Sequence, residues 1–317
     1  MTGAAGFIGS HLVKLLIKQD LVSISKLLVL DKLTYSGTLK NLSEIPEERI
    51  LFHRADISDS KVVERLIKET DLVFHLAAES HVDKSIDGPG EFVRTNVLGT
   101  QVLLDVVRHN PDVKFVHVST DEVYGTIDEG SWDENCSLEP NSPYAASKAS
   151  SDLIALAYAK TYGLDIRVTR CCNNYGSNQF PEKMIPLFAT NLMEGKKVPL
   201  YGDGQNVREW IHVEDHCRAI LDVALKGKAG QVYNIGSGIE LTNLEITRMV
   251  LAEFGYGDEM IEKVPDRLNH DRRYSLNSNK IERELGWKTQ WKFEEGLKST
   301  IDWYKNNRSW WEPLKNK

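Results

Sequence analysis

Two short stretches of the chain carry residues that can move protons. In SPYAASK, Tyr144 and Lys148 lie four apart at the start of a segment with helical character, so both side chains leave the same face. An ammonium close to a phenol favours the phenolate and lowers the tyrosine pKa, which turns Tyr144 into a usable base near neutral pH. In STDEVYG, residues 119–125, Thr120 can hydrogen-bond a substrate hydroxyl, and Asp121 and Glu122 are adjacent carboxylates. Different surroundings can make one of them an acid and the other a base. The triplet also fits a helix N-cap followed by two acids that the helix dipole favours. Tyr-x-x-x-Lys recurs by chance, so its catalytic reading depends on what accompanies it.

A third stretch supplies a cofactor. Gly3, Gly6 and Gly9 form Gly-x-x-Gly-x-x-Gly and run into HLVKLLIKQ, an apolar-periodic helix. Glycines let backbone approach a pyrophosphate, whose charge then sits at the positive end of the helix. Asp31 follows Gly9 by 22 residues, at the end of the next apolar run. A carboxylate there accepts from a ribose hydroxyl and repels a 2′-phosphate, so NAD is expected rather than NADP, with Lys32 next door as the one contrary sign. Asp56, after the following run, suits either the adenine end or a helix cap.

These residues need a scaffold of alternating strands and helices. Apolar runs at 26–30, 50–56, 71–78 and 113–119 alternate with segments of helical period, including one capped by Ser58 or Asp59 that runs through Glu69 and one from Val93 to Val107. Continuously apolar runs predict parallel strands buried on both faces. STDEVYG falls at the carboxyl end of such a strand, where open α/β sheets bind ligands. The expectation is an α/β fold: a Rossmann-like doubly wound parallel sheet with a smaller, mainly C-terminal substrate-binding domain. From about residue 173, NNYGSNQFPEK reads as a long loop, followed by a strand at 232–236 and a helix over 242–255 that ends at a glycine. The cofactor domain is expected over 1–173 plus about 207–236, and the substrate domain over about 174–206 plus 237–317.

The 317 residues include 39 Lys and Arg against 46 Asp and Glu, for a net charge of −7. That balance disfavours nucleic acid or an anionic membrane as partner. There is neither an apolar run of membrane-spanning length nor a basic-then-apolar leader, so a cytoplasmic protein is expected. Cys136, Cys171, Cys172 and Cys217 have no knuckle spacing and read as reduced and structural, with no metal site. Only Met1 and Thr2 precede the first glycine, where a central strand belongs; a start later than the natural one is the expectation for that gap.

The segments TGAAGFIGSHLV, LDKLTYSG, HLAAESHVDKSI, STDEVYG, SPYAASKASSD, CCNNYG, FPEKMIPL, LYGDGQNVREWIHVEDH, YNIGSG and DRLNHDRRY together resemble the extended short-chain dehydrogenase/reductase family, in order and across almost the whole chain. Within it they are most similar to the enzymes that dehydrate dTDP-glucose. The resemblance implies that Tyr144 removes the 4-hydroxyl proton as hydride passes from C4 to NAD. Glu122 then takes the C5 proton while Asp121 protonates the departing 6-hydroxyl, and hydride returns to C6. It places Gly3, Gly6, Phe7, Ile8, Gly9, Asp31, Lys32, Leu33, Thr34, Asp56, Ile57, Leu76, Ala77, Ala78, Glu79, Thr95, Tyr144, Lys148 and Asn174 near NAD. It places Ser80, Thr120, Asn173, Lys183, Met184, Pro199, Tyr201, Arg208, Asn243, Asp266, Arg267 and His270 near a nucleotide-sugar. Arg208 also has its own case, since a guanidinium grips a diphosphate with paired hydrogen bonds. The resemblance further implies a homodimer formed through helices near 91–109 and 144–162.

Three departures from the family pattern stand out: Ala4 in the glycine loop, which fits if its φ is negative, Ser177 for proline, and Leu268–Asn269 for Pro-Gly. The alternatives are a dehydratase of UDP- or CDP-glucose, a 4-epimerase, which has no need of the Asp121 and Glu122 pair, and a non-catalytic NAD-binding sensor.

Overall fold

The computed structural model describes residues 1–18 and 24–315. Its strands, in chain order, are β1 (Leu27–Asp31), β2 (Ile50–Arg54), β3 (Leu72–His75), β4 (Lys114–Thr120), β5 (Ile166–Cys171), β6 (Asn173–Tyr175), β7 (Val198–Tyr201), β8 (Val207–His212), β9 (Val232–Ile235), β10 (Glu240–Thr242) and β11 (Ile261–Val264). β3, β4, β5 and β9 pair in parallel in the order β3-β4-β5-β9, and β1 pairs in parallel with β2. Between β1 and β3 stand Met1 and Thr2. Thr2 bridges in parallel to both Leu30 and His75. The bonds Thr2 N to Phe74 O (2.9 Å), Leu30 N to Met1 O (2.9 Å) and Gly3 N to Leu30 O (3.0 Å) knit the two parts into one layer. Two residues therefore do the work of a central strand.

Helices cover both faces of this layer, as the alternating pattern predicts, and two hydrophobic clusters fill the interfaces. One gathers Leu12, Val116, Ile220 and Tyr233, the other Leu103, Phe115, Ala155 and Ile166. β2 departs from the expectation of burial on both faces: it is an edge strand, half exposed along its length. The helix after it spans Ser60–Ile67, capped by Asp59 and two residues shorter than expected. The stretch expected as one helix from Val93 to Val107 is continuous in path but has a wide π turn over Val93–Gly99 before regular helix at Thr100–Arg108. The helix carrying Gly9 runs Phe7–Lys18; Gln19, the last residue of its expected range, lies outside the described residues.

The second layer is built from β8, flanked by β10 and β6, and from the parallel pair β7 and β11. β6 lies inside the segment expected to be irregular. Three residues are too few to show periodicity, and pairing of Asn173 to Tyr175 with Trp210 to His212 is what makes them a strand. The helix Asn243–Ala252 begins with a capping box between Thr242 and Glu245 and stops three residues before Gly255. Tyr175, Ile185, Trp210 and Leu297 centre a third cluster, and Tyr304, Trp310 and Trp311 a fourth.

A buried polar network ties the first layer to the segments that carry the proton-moving residues. Arg170 on β5 donates to Asp152 Oδ2 at 2.8 Å and to the Tyr124 hydroxyl at 2.7 Å. Tyr124 donates on to Asn234 on β9, at 2.9 Å, and His117 on β4 lies 3.2 Å from Asp152 Oδ1. Burial pushes the Asp152 carboxyl up, but His117 and Arg170 outweigh it and hold Asp152 ionised below its usual range. Asp152 sits on the helix Pro143–Tyr162, and Tyr124 ends the turn that follows β4. Removing one partner of such a pair leaves a buried charge alone, at a cost of about 3–5 kcal/mol. Arg170→Met should lose stability of that order in a denaturant titration, and adding Asp152→Asn to it should recover part of the loss.

Candidate active site

The glycine loop is set by contacts as close as atoms allow. Gly3 has φ 69°, and a Cβ there would stand 2.6 Å from Ala77 N; a Cβ on Gly9 would stand 2.2 Å from Gly3 O. Among the described non-glycine residues positive φ occurs at Leu33, Asn178 and Asn269, so Ala4 fits as expected. The first-turn N–H groups of Phe7–Lys18 have no acceptor within their helix and present the positive end of its dipole to the cleft. Asp31 accepts from Ala5 N at 2.9 Å and from Leu33 N at 2.8 Å. Its carboxylate therefore holds the loop while keeping lone pairs for a ligand, and burial raises its pKa.

Every residue assigned to the dinucleotide lines one cleft of about 300 Å³ except Leu33. Leu33, at φ 58°, packs instead against the core beneath. Lys32 is answered by Asp56 at 3.3 Å, which removes the contrary sign against NAD. Asp56 caps no helix: its Oδ1 accepts from Ser58 N and Oγ, both at 2.9 Å, and the cap is Asp59.

The other end of the cleft holds Thr120, Asp121, Glu122, Tyr144 and Lys148. β4 ends at Thr120, whose hydroxyl caps the short turn Asp121–Tyr124, so the cap and the site are the same residues. Ser142 caps the helix that starts at Pro143 and fixes Tyr144 in its first turn. The expected lowering of the Tyr144 pKa by Lys148 is not what the structure shows. Lys148 donates to Val118 O at 2.8 Å. Burial and then the Glu122 charge push Tyr144 well above the usual phenol range, a contact with Thr120 being the main opposing influence. Lys148 itself is pulled down by burial.

The two carboxylates sit in different surroundings. Asp121 is 2% exposed, and burial first, then Glu122 and Glu209, raise it well above the carboxylate range. Its Oδ2 has no partner. Glu122 is raised by burial but drawn back by Arg267, Lys183 and Arg208. Of the two, Asp121 is the one whose surroundings favour the proton more strongly.

Of the residues assigned to the nucleotide-sugar, Ser80, Thr120, Asn173 and Lys183 line the cleft. Lys183 donates to Ser80 O at 3.0 Å. Arg208 is buried, donates to Val207 O (2.7 Å) and Asp271 O (2.8 Å), and lies 4.3 Å above the Tyr274 ring. Tyr201, Asp266, Arg267 and His270 come together beyond it: His270 meets Asp266 at 2.6 Å and the Tyr201 ring at 6.3 Å, while Arg267 reaches Asp83 at 3.6 Å. Asn269, in the place of a glycine, has the positive φ of 49° that a glycine there would supply, and donates to Asn141 O at 2.8 Å. Met184, Pro199 and Asn243 lie in the same layer but do not line the cleft. Sequence reasoning missed Ser36, Gly37, Gln179, Phe180 and Glu182, which do line it, and it read Cys171 and Cys172 as structural although both face the cleft as free thiols. Phe180 and Glu182 stand beside Lys183 in an aperiodic segment, and that proximity was the one available signal. Among the described residues no group of side chains could hold a metal ion, and no helix is long and apolar enough to cross a membrane.

Comparison with known proteins agrees with this geometry. The sequence model described as GDP-mannose 4,6 dehydratase matches residues 1–300. A dTDP-glucose 4,6-dehydratase of Streptomyces antibioticus is 56% identical over 100% of this chain and 95% of its own length. The structure of DesIV, a dTDP-glucose 4,6-dehydratase from Streptomyces venezuelae solved with NAD bound, is 54% identical, with a TM-score of 0.97 over 99% of this chain and 98% of that one. The corresponding enzyme of Bacillus anthracis, in complex with NAD, is 47% identical with a TM-score of 0.92 over 99% and 98% of the two chains. A cleft walled by a glycine loop at one end and by Tyr144, Asp121 and Glu122 at the other thus has full-length counterparts, and the chain belongs to the family of dTDP-glucose 4,6-dehydratases.

Proposed function

We propose that the protein dehydrates dTDP-glucose to dTDP-4-keto-6-deoxyglucose with NAD as a resident reagent. The observation that carries this reading is that two adjacent carboxylates, Asp121 and Glu122, line the same end of the cleft as Tyr144, both raised by burial but only Glu122 drawn back by three cations, Arg267, Lys183 and Arg208. A 4-epimerase moves a proton at O4 and has no use for the pair. A sensor has no use for any of the three.

The cofactor fits the residues present. Asp31 and Asp56 suit the adenosine end, the bare first-turn N–H groups suit the pyrophosphate, and Thr95, Tyr144 and Lys148 suit the nicotinamide end. When bound, NAD accepts hydride from C4 of the sugar and returns it to C6. Tyr144 Oη takes the proton from the 4-hydroxyl, and a ligand that carries positive charge into the cleft acts against the upward push of burial. The resulting ketone acidifies C5–H. Glu122 removes that proton as Asp121 protonates the departing 6-hydroxyl, because an unactivated hydroxyl leaves only with help from an acid. Reprotonation of C5 by Glu122 completes the product without net consumption of cofactor, and the proton gained by Tyr144 matches the one Asp121 gave to the departing water, so transfer of that proton through solvent resets the site. Arg208, already held by backbone carbonyls, and Lys183 supply charge for the diphosphate.

The cofactor part is assigned to 1–173 plus about 207–236 and the sugar-nucleotide part to about 174–206 plus 237–317; the second cluster lies within the former and most of the third within the latter, while Leu276, Ile281, Leu285 and Trp287 join the first cluster and so link the two parts. Four free thiols suit a cytoplasmic setting. A homodimer is supported by apolar side chains left bare on the expected helices: Val93 is 55% exposed, Leu98 47% and Leu153 58%.

Purified protein should convert dTDP-glucose with no added reductant, and faster turnover of UDP-glucose would overturn the base assignment. In deuterated water, Glu122→Gln should lose label uptake at C5 and at least a hundredfold in kcat, about the worth of a positioned acid or base. Asp121→Asn should lose as much turnover but keep C5 exchange.

Glu122 must be ionised, and its pKa is raised, so kcat should fall on the acid side through a value above the ordinary carboxylate range. Lys183→Met removes a cation that lowers that pKa and should move this limb to higher pH, measured at saturating substrate.

Leu153→Glu should yield a monomer by light scattering where the native chain is a dimer.

A further inference from the structure

One bank of the cofactor cleft is the turn after β1, which contributes Thr34, Ser36 and Gly37; the opposite bank is the segment before the helix Met184–Met193, which contributes Gln179, Phe180 and Glu182. A cluster of charged and polar groups joins these banks across the opening. The Tyr35 hydroxyl donates to Glu182 Oε1 at 2.8 Å, and Lys84 donates to Glu182 Oε2 at 3.0 Å. The Lys84 ammonium stands 3.1 Å from the centre of the Tyr35 ring, and His81 Nε2 is 3.7 Å from Glu182 Oε2. Phe180 meets Tyr35 edge-on, with ring centres 5.3 Å apart. Three separate segments, following β1, following β3 and following β6, therefore converge on one carboxylate.

Each bank has its own anchors. Gln179 O accepts from the Tyr304 hydroxyl, Ser177 O lies 2.9 Å from His11 Nε2, and Asn178 donates to Asn41 at 3.4 Å. That bank is fixed to the C-terminal helices and to the helix of the glycine loop. The Tyr35 bank is a tight turn closed by Gly37 N to Thr34 O at 3.2 Å and held to the glycine loop at its far end by Thr38 N to Ala5 O at 3.1 Å and Asn41 Nδ2 to Ala5 O at 2.9 Å, and the Tyr35 hydroxyl itself reaches across the cleft to Glu182.

We infer that Glu182, with Tyr35 and Lys84, forms a clasp across the cleft that retains NAD between turnovers. The inference rests on the reaction proposed above, in which hydride leaves and returns on the same cofactor molecule, so that no step requires the dinucleotide to exit. A contact that slows exit does not slow such a cycle. Tyr35 touches none of the proton-moving residues and does not itself line the cleft, meeting it only through Phe180 and Glu182, so its hydroxyl can act on retention alone. The tie is a hydrogen bond to a charged group, of a kind whose loss changes an equilibrium by roughly tenfold or more.

The test follows NAD release from the holoenzyme. Protein loaded with NAD is mixed with excess unlabelled NAD after loading with radiolabelled cofactor, and the rate of label loss is measured for the native chain, Tyr35→Phe, Glu182→Gln and the double variant. The clasp predicts release at least tenfold faster in each single variant, no further gain in the double, and kcat of Tyr35→Phe at saturating NAD equal to native. Release rates equal to native in both single variants, or additive effects in the double, would overturn it. A native chain that binds no NAD would instead overturn the reaction assignment, and the two failures are thereby distinguished.

Discussion

The buried pair of Arg170 and Asp152 is the interaction on which the site depends. It is not a general stabiliser, since burying two charges costs nearly as much as their attraction returns. Its value is positional. Asp152 belongs to the helix that presents Tyr144 and Lys148, and Tyr124, the second partner of Arg170, belongs to the turn that presents Asp121 and Glu122. The proposed base, Tyr144, and the proposed acid–base pair, Asp121 and Glu122, stand on two different elements, and one guanidinium ties those elements together. Arginine suits this because its planar fork binds two partners in set directions.

Above that anchor, chemistry is divided by electrostatics rather than by residue type. Asp121 and Glu122 are neighbours with nearly the same intrinsic acidity, yet one turns into the protein interior near Glu209 and the other toward Arg267, Lys183 and Arg208. In the proposed reaction the cations assigned to the diphosphate thus also favour the charge on Glu122 over Asp121. Substrate binding and acid–base assignment share the same side chains, so neither can be altered alone.

The sequence made the sheet, the glycine loop and the proton-moving residues readable because each has a local signature: runs of apolar residues, fixed spacings, a strand end. What escaped it depends on contacts between distant segments. Phe180 and Glu182 acquire meaning only when their segment is folded against Tyr35, and Leu33 leaves the cleft because Asp31 turns the backbone there into a positive φ. β6 exists because β8 lies alongside it. The surroundings of Lys148 show the same limit. A spacing of four predicts a shared helix face, but it does not predict that Val118 O will take the ammonium.

Asp31 joins two functions in one carboxylate. It lines the cleft where the proposed ribose contact would form, and it also pins the glycine loop at Ala5 and the following turn at Leu33. An attempt to redirect the enzyme toward a phosphorylated ribose by replacing this acid with a neutral or basic residue would unfasten the loop that receives the pyrophosphate. Cofactor preference in this fold is therefore resistant to single substitutions, and a change of preference requires new donors and acceptors for two backbone amides before any new contact with the cofactor can count.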